Sequence, residues 1–253
     1  MATTHIAEEV FPIHRVPMTR PLLWLGGGWD DLMHHKGASL AYGAIVSILG
    51  LLILAYQRSP IYLSAVTAAF LLVGPILTAG LCELSRARDE GEAPDFQASL
   101  RVLQRRRSNL LDFARFLLLI TVVWFFVSGF FYYGLAGSIA PSPQDTVWGD
   151  VLRQVSATQL LAYLAIGFVL AFAVFCLSVV SVPMIVDRDV SARTAMRMSL
   201  RVIARDFPAM IVWAALIICL VAFGFATKLI AMIIIFPLLG HATWRAYREL
   251  VEH

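Results

Sequence analysis

The stretch GPILTAGLCELSRARDEGEAPDFQASLRVLQRRR, residues 74–107, holds the plan of the chain. An apolar run of membrane length ends at Gly74-Pro75. An arginine-rich connection follows, then an amphipathic segment carrying Ser99-Leu100-Arg101-Val102. The plan returns further on. Pro183 closes another apolar run, arginines follow, and Ser199-Leu200-Arg201-Val202 repeats the same four residues. Self-similarity at this distance is the mark of a repeated structural unit.

Working outward, the whole chain has the composition of a membrane protein. Of its 253 residues 59 % are hydrophobic and only 15 % charged, and the mean hydropathy is +0.77. A soluble domain carries about 25 % charged residues, so too little polar surface exists to cover a water-facing globule. A bilayer core about 30 Å thick needs about 20 apolar residues in a helix. Six segments meet or approach this: residues 38–56, 61–82, 112–138, 158–186, 208–225 and 228–244. The spacing predicts an all-α polytopic protein with six transmembrane helices. Residues 1–37 form an N-terminal tail with an interfacial helix, 38–244 the membrane domain and 245–253 a C-terminal tail.

The connections alternate. Residues 57–60 and 226–227 are minimal turns, which make antiparallel hairpins of the first and last pairs of spans. Residues 139–157 form a longer loop, with a short surface helix expected over 146–156. The other two connections hold arginine. Of the 20 basic residues, 17 fall on the side that holds both termini and the arginine loops. Only Arg58, Arg153 and Lys228 fall on the other. Basic residues stay on the cytoplasmic side, so both termini are expected inside a bacterial cytoplasmic membrane, as an even number of spans requires. Each unit is then an interfacial helix, a span going out and a span returning. The units cover about 20–82, 92–186 and 191–240, have the same topology, and make three parallel hairpin repeats. Pro75, Pro183 and Pro237 sit near the inner ends of the returning spans, where a missing backbone N–H is expected to kink each helix.

The interfacial segments carry the candidate site. Arg193, Arg197, Arg201 and Arg205 recur every four residues and form one polar stripe, opposite Ala192, Ala195, Met196, Val202 and Ile203, with Ser191 as cap. In the preceding unit Asp95 caps, Phe96, Leu100 and Leu103 face the membrane, and Arg101, Arg105, Arg106 and Arg107 face water. Such helices lie on anionic lipid, each arginine contributing about 1 kcal/mol near the surface. These eight arginines are therefore the expected contacts to lipid headgroups or phosphate. Because the clusters flank apolar runs, the membrane and not nucleic acid is their partner. Residues 20–36 read as a further amphipathic helix with Leu22, Leu25, Trp29, Leu32 and Met33 on one face. Gly26-Gly27-Gly28 is read as a flaw or hinge in it, and Trp24 and Trp29 suit the headgroup region.

No residue constellation points to catalysis. There is no P-loop, GxSxG, HExxH or dinucleotide fingerprint. The acidic residues lie among arginines and read as surface ion pairs. His34 and His35 point about 100° apart on a helix, and His241 alone lies near a span, so neither metal nor cofactor is expected. Cys82, Cys176 and Cys219 read as small buried hydrophobes, and Ser47, Ser128, Gly50 and Gly167 as close-packing positions between helices.

Arg20-Pro21, Trp24-Leu25 and Gly28-Trp29-Asp30-Asp31 precede the first span. Gly74-Pro75, Gly80, Arg86, Arg88, Gly91-Glu92 and Pro94 surround the end of the second. With these motifs the chain, from about residue 15 to 250, resembles an uncharacterised family of bacterial six-span inner-membrane proteins. Some members carry a label likening them to cytochrome c oxidase subunit I. The intramembrane histidines that would bind haem and copper in such an enzyme have no counterpart here. The expected function is a non-enzymatic scaffold, assembly or lipid-interacting protein. The alternatives are a transporter or channel for a neutral or amphiphilic solute and an accessory subunit of a respiratory complex. Reporters fused after Arg107, Arg205 and Glu252 should read cytoplasmic and those within 141–150 periplasmic. A periplasmic signal at either arginine loop contradicts the topology.

Overall fold

The computed structural model describes residues 11–55, 60–92, 95–135 and 156–251, with side chains described in these ranges except at 53–73 and 132–135. The expected turn at 57–60 falls almost wholly outside them, as does the surface helix over 146–156. The protein is all-helical. Among the described residues the isolated bridge between Ile13 and Val251 is the one β-type pairing. The helices are α1 (Arg20–His34), α2 (Lys36–Ala55), α3 (Pro60–Asp89), α4 (Phe96–Arg105), α5 (Arg107–Leu135), α6 (Ala157–Ser178), α7 (Ser181–Arg188), α8 (Ala192–Arg205), α9 (Phe207–Ala226) and α10 (Met232–Leu250). Three times a short helix passes through one residue into a long one: α1 through His35 into α2, α4 through Arg106 into α5, and α8 through Asp206 into α9.

Local chemistry sets the helix starts. The Asp95 carboxylate accepts the Ala98 N–H at 2.6 Å, and the Ser191 hydroxyl accepts that of Thr194 at 3.3 Å. Each satisfies a donor that the first turn leaves without a partner. Ser156 and Gln159 form a reciprocal capping box at α6.

By length and composition three helical stretches can cross a membrane: residues 107–131 of α5, residues 157–188 of α6 and α7 together, and α9. A fourth is possible in α1 with residues 36–52 of α2, which meet at 106°. The fold is therefore a membrane helix bundle with three or four such stretches among the described residues. The expected segments 112–138, 158–186 and 208–225 coincide with the three. Segment 38–56 falls on α2, and most of segment 61–82 has no described side chains. Segment 228–244 differs. Lys228 and Leu229 both have left-handed φ, 51° and 67°, and close a turn. The helix starts only at Met232 and continues unbroken across position 245 to Leu250, taking in Arg245, Arg248 and Glu249.

α2 lies along α10 through small residues at helical spacing. A Cβ on Gly43 would stand 2.0 Å from the Ile233 carbonyl oxygen, and one on Gly50 would stand 2.3 Å from the Leu229 side chain. Ser47 Oγ donates to the Leu229 carbonyl at 2.9 Å. Pro237 supplies no N–H for the carbonyl four residues back, which is Ile233. That freed oxygen is the one lying against Gly43. Ser47 and Gly50 in turn hold Leu229, whose left-handed backbone is unfavourable for a branched residue. Small residues permit such approach, and dispersion between the backbones follows. α5 and α6 are joined by Tyr163, stacked on Phe131 at 4.5 Å, with its hydroxyl 3.0 Å from Ser128. Pro75 lies inside α3, whereas Pro183 falls in the first turn of α7, after a break at Val179-Val180.

α1 crosses α10 at the triple glycine. A Cβ on Gly28 would come within 2.7 Å of the Ala242 backbone nitrogen, and one on Gly27 would touch the Arg245 stem at 3.2 Å. Gly27 and Gly28 are thus a notch for a second helix, in a helix that runs unbroken from Arg20 to His34, and the hinge reading does not hold. The buried face of α1 is Pro21, Trp24, Gly28, Asp31 and Leu32, one position earlier than the apolar face expected from the sequence. Trp24 leaves the headgroup region for the protein interior. Its indole donates to Glu249 at 2.7 Å and meets Trp213 edge-on at 5.8 Å. Leu22 and Trp29 remain exposed. The segment before α1 is also docked: His14 N–H donates to the Leu250 carbonyl at 3.0 Å, and the Arg188 guanidinium covers the Phe11 ring at 4.5 Å.

The notch generates a paired prediction. Gly28→Ala forces α1 off α10 and should lower stability by about 1–3 kcal/mol. Nothing lies within 4 Å of a Cβ on Gly26, so Gly26→Ala should stabilise by up to about 1 kcal/mol through helix propensity alone. Thermal unfolding in detergent reads both, and equal effects would contradict the notch.

Candidate functional site

The notch brings a carboxylate under the end of α10. Asp31 lies one turn after Gly28 and is fully buried. Its Oδ2 accepts the Arg245 Nε–H at 2.7 Å and the Ser85 hydroxyl at 2.8 Å. Its Oδ1 accepts Arg88 Nη1 at 2.5 Å and also Arg245 Nη2. The other side of Arg245 reaches Asp89 at 2.8 Å, and Asp89 also accepts the Trp244 indole N–H at 2.9 Å. Two carboxylates face two guanidiniums, and the Arg245–carboxylate contact is the two-pronged kind that a planar fork favours.

Next to it lies His241, fully buried between two hydroxyls. Ser39 Oγ is 2.8 Å from Nε2 and Ser85 Oγ 2.7 Å from Nδ1. Since Ser85 gives its proton to Asp31, Nδ1–H must donate to Ser85, and Nε2 of the neutral ring then accepts from Ser39. The row Ser39–His241–Ser85–Asp31 therefore has one consistent direction of donation. It joins α2, α10, α3 and α1. All four side chains are shut off from solvent, so the work this row does is to hold four helices in one register. The neighbouring His35 has its Nε2 buried without a hydrogen-bond partner. Among the described residues no group of three or more His, Cys, Asp or Glu converges to hold a metal ion.

Burial alone would push the Asp31 carboxyl up, but the Arg245 guanidinium, with Ser85 and Arg88, holds it below its ordinary value of 3.8. The reading of the acidic residues as surface ion pairs fails here. It fails again at Glu83, which is buried and accepts from Arg86 at 2.8 and 2.9 Å and from Arg105 at 2.8 Å. One signal in the sequence could have found Asp31. It stands four residues before the linking residue His35, as Val102 and Val202 stand before Arg106 and Asp206, and all three are buried.

The eight expected headgroup arginines divide. Arg105 pairs with Glu83, and Arg106 with Asp189, which Asn109 also meets at 3.0 Å. Arg101, Arg107, Arg193, Arg201 and Arg205 are exposed and have no ion-pair partner among the described residues. Arg197 is exposed on the same stripe as Arg193, Arg201 and Arg205. On the opposite face of α8, Ala192, Ala195, Met196, Val202 and Ile203 are buried as expected, against protein. The repeated four residues match at three positions, with serine and valine buried and arginine exposed, whereas Leu100 is partly buried and Leu200 exposed. Ser99 and Ser199 are both fully buried. The Tyr42 hydroxyl lies 2.9 Å from Ser99 Oγ, and Ser199 Oγ donates to the Cys176 carbonyl at 2.6 Å. Phe96, Leu100 and Leu103, expected at the membrane, are partly buried against protein. Of the cysteines, Cys82 and Cys176 are buried but Cys219 is exposed.

Residues 63–187 match the model of a family described as "Predicted integral membrane protein (DUF2189)". Over these residues the chain is thus similar to an uncharacterised family of predicted integral membrane proteins, in keeping with the resemblance. The match runs from within α3 to the end of α7, so it includes Ser85 and Arg88 but neither Asp31, His241 nor the α8 arginines. No curated protein and no solved structure matches the chain.

Removing one partner of a buried ion pair strands the other and costs about 3–5 kcal/mol. Asp31→Asn should approach that loss in thermal unfolding. Because the folded carboxyl titrates below 3.8, its stabilisation is complete above that value and is lost as pH falls below it. The Asp31→Asn variant should lack this acid limb, and an unchanged limb would contradict the assignment.

Proposed function

We propose that this chain, similar over residues 63–187 to that membrane family, is a non-enzymatic scaffold, assembly or lipid-interacting protein of the bacterial cytoplasmic membrane. In this reading it has six spans in three parallel hairpin units, both termini in the cytoplasm, and α4 and α8 lying at the inner membrane surface. Their arginines engage anionic headgroups. The observation that carries the reading is the set of five exposed arginines without ion-pair partners among the described residues, on and beside two helices whose other faces are packed into the protein. An unpaired guanidinium at an anionic surface gains on the order of 1 kcal/mol, within a screening length of about 8 Å.

All five are exposed, so they act as point charges on a surface and no built pocket surrounds them. Association with vesicles containing phosphatidylglycerol should weaken stepwise through Arg101→Gln, Arg193→Gln, Arg201→Gln and Arg205→Gln. The corresponding lysine variants should stay close to the unchanged protein. Arg105→Gln, which breaks an internal pair, should act mainly on stability. An abrupt loss at Arg201→Lys with the fold intact would show a defined recognition site, since arginine's planar fork is what lysine cannot reproduce.

A further inference from the structure

The three short helices that lead into long ones differ in what they expose. On α4 the exposed side chains are Gln97, Arg101, Gln104 and Arg105, and on α8 they are four arginines with Leu200 and Ala204. α1 is different. At 3.6 residues per turn its surface divides into three stripes. Pro21, Trp24, Gly28 and Asp31 pack on the protein. Leu22, Leu25 and Trp29 form a second stripe, which Met18 extends just before the helix. Met18, Leu22 and Trp29 are exposed and Leu25 is half-buried. The third stripe, Thr19, Leu23, Gly26, Asp30 and His34, is exposed throughout, and Leu23 is its one large apolar group.

The depth of α1 is set by its neighbours. Val16, just before the helix, gives its N–H to the Asp206 carboxylate at 3.4 Å, and Asp206 is the linking residue at the start of α9. The Trp24 ring meets Trp213 edge-on at 5.8 Å. Trp213 stands seven residues after Asp206, about 10 Å further along the helix. α9 is long and apolar enough to cross a membrane, and on its first two turns Phe207 and Ile211 are exposed. α1 turns through 106° into α2, so it lies across the end of the bundle. A helix held against the first two turns of a span lies at the boundary between headgroups and acyl chains. Interfacial helices bury their apolar face about 5–10 Å into that boundary.

We propose that α1 is a wedge in the cytoplasmic leaflet, with Met18, Leu22, Leu25 and Trp29 among the acyl chains and Thr19, Gly26, Asp30 and His34 facing water. This rests on the reading above in one respect, that α9 crosses the membrane with Asp206 at its inner end. It does not depend on the arginines. At the depth of Trp213 lipid surrounds the outward side of α1, so no second protein is needed to cover the apolar stripe. Trp29, an apolar ring with one N–H donor, suits the boundary between chains and headgroups. The equivalent helices thus divide the membrane contact: α4 and α8 present charge to the headgroups, and α1 enters the layer beneath.

The experiment is spin-label accessibility in the full chain, reconstituted in vesicles of phosphatidylcholine with and without phosphatidylglycerol. Cys219→Ala removes the exposed thiol, and labels enter one at a time through Leu22→Cys, Trp29→Cys, Gly26→Cys and Asp30→Cys. All four positions are exposed, so the fold should persist, which thermal unfolding checks. Labels at 22 and 29 should meet dissolved oxygen several-fold more than a water-soluble nickel chelate, and labels at 26 and 30 the reverse. A photoreactive benzophenone side chain in place of Trp29 should cross-link to acyl chains. The pattern should be the same in phosphatidylcholine alone and after Arg193, Arg201 and Arg205 are together replaced by Gln, because α9 sets the depth. Nickel contact at all four positions would overturn the wedge and leave the arginine reading standing. Low contact with both reagents at 22 and 29, or a protein cross-linked at position 29, would place a protein on the stripe and also overturn it. An intact oxygen pattern in a protein with no preference for phosphatidylglycerol would support the wedge and sink the headgroup reading alone.

Discussion

Where α1 crosses α10 there is no room for a side chain at Gly28, and one turn later the buried Asp31 meets the fork of Arg245. These two contacts depend on each other. Without the notch the carboxylate could not reach the guanidinium, and without the ion pair the part-exposed contacts of Arg20 and Trp24 to Glu249 would be left to fix the register of α1 on α10. A buried ion pair is not by itself a large gain in stability, because desolvation offsets much of the attraction. Its effect is on specificity. Any slip of α1 would leave the Asp31 carboxylate buried without its guanidinium partners, which is far more costly than the loss of an apolar contact.

From that crossing the rest of the basic end follows. The segment before α1 lies against the last turn of α10, Trp24 reaches Glu249 and Trp213, and Ser39 and Ser85 enclose His241 from α2 and α3. The segment before α1 and the last turn of α10 are locked together, and α10 serves as the support for α1 and α2 at once. Internal pairing then consumes Arg20, Arg86, Arg88, Arg105, Arg106 and Arg245. Arg101, Arg107, Arg193, Arg201 and Arg205 are exposed and have no ion-pair partner among the described residues. The same residue type thus holds the base together at some positions and faces outward at others.

Helix class, helix starts at Asp95 and Ser191, and the apolar stretches of α5, α6 and α9 were all determined by the sequence alone, since length, hydropathy and capping are local properties. The periodicity of α8 also placed its buried and exposed faces. Serine and glycine in α2 marked close packing, because a missing side chain has the same meaning whichever helix approaches. The side of α1 that turns inward was decided only by tertiary structure. Hydropathy marks the most apolar face, and α1 exposes Leu22 and Trp29 while burying Gly28 and Asp31. In a membrane protein lipid and protein are both apolar surroundings, so an apolar face does not tell which of them it meets. Asp31, Glu83 and His241 are buried because partners 22 to 214 residues distant along the chain converge on them. The register of the repeat marks position 31 as a buried one, but no local pattern reports which partners meet there, nor which arginines they leave exposed.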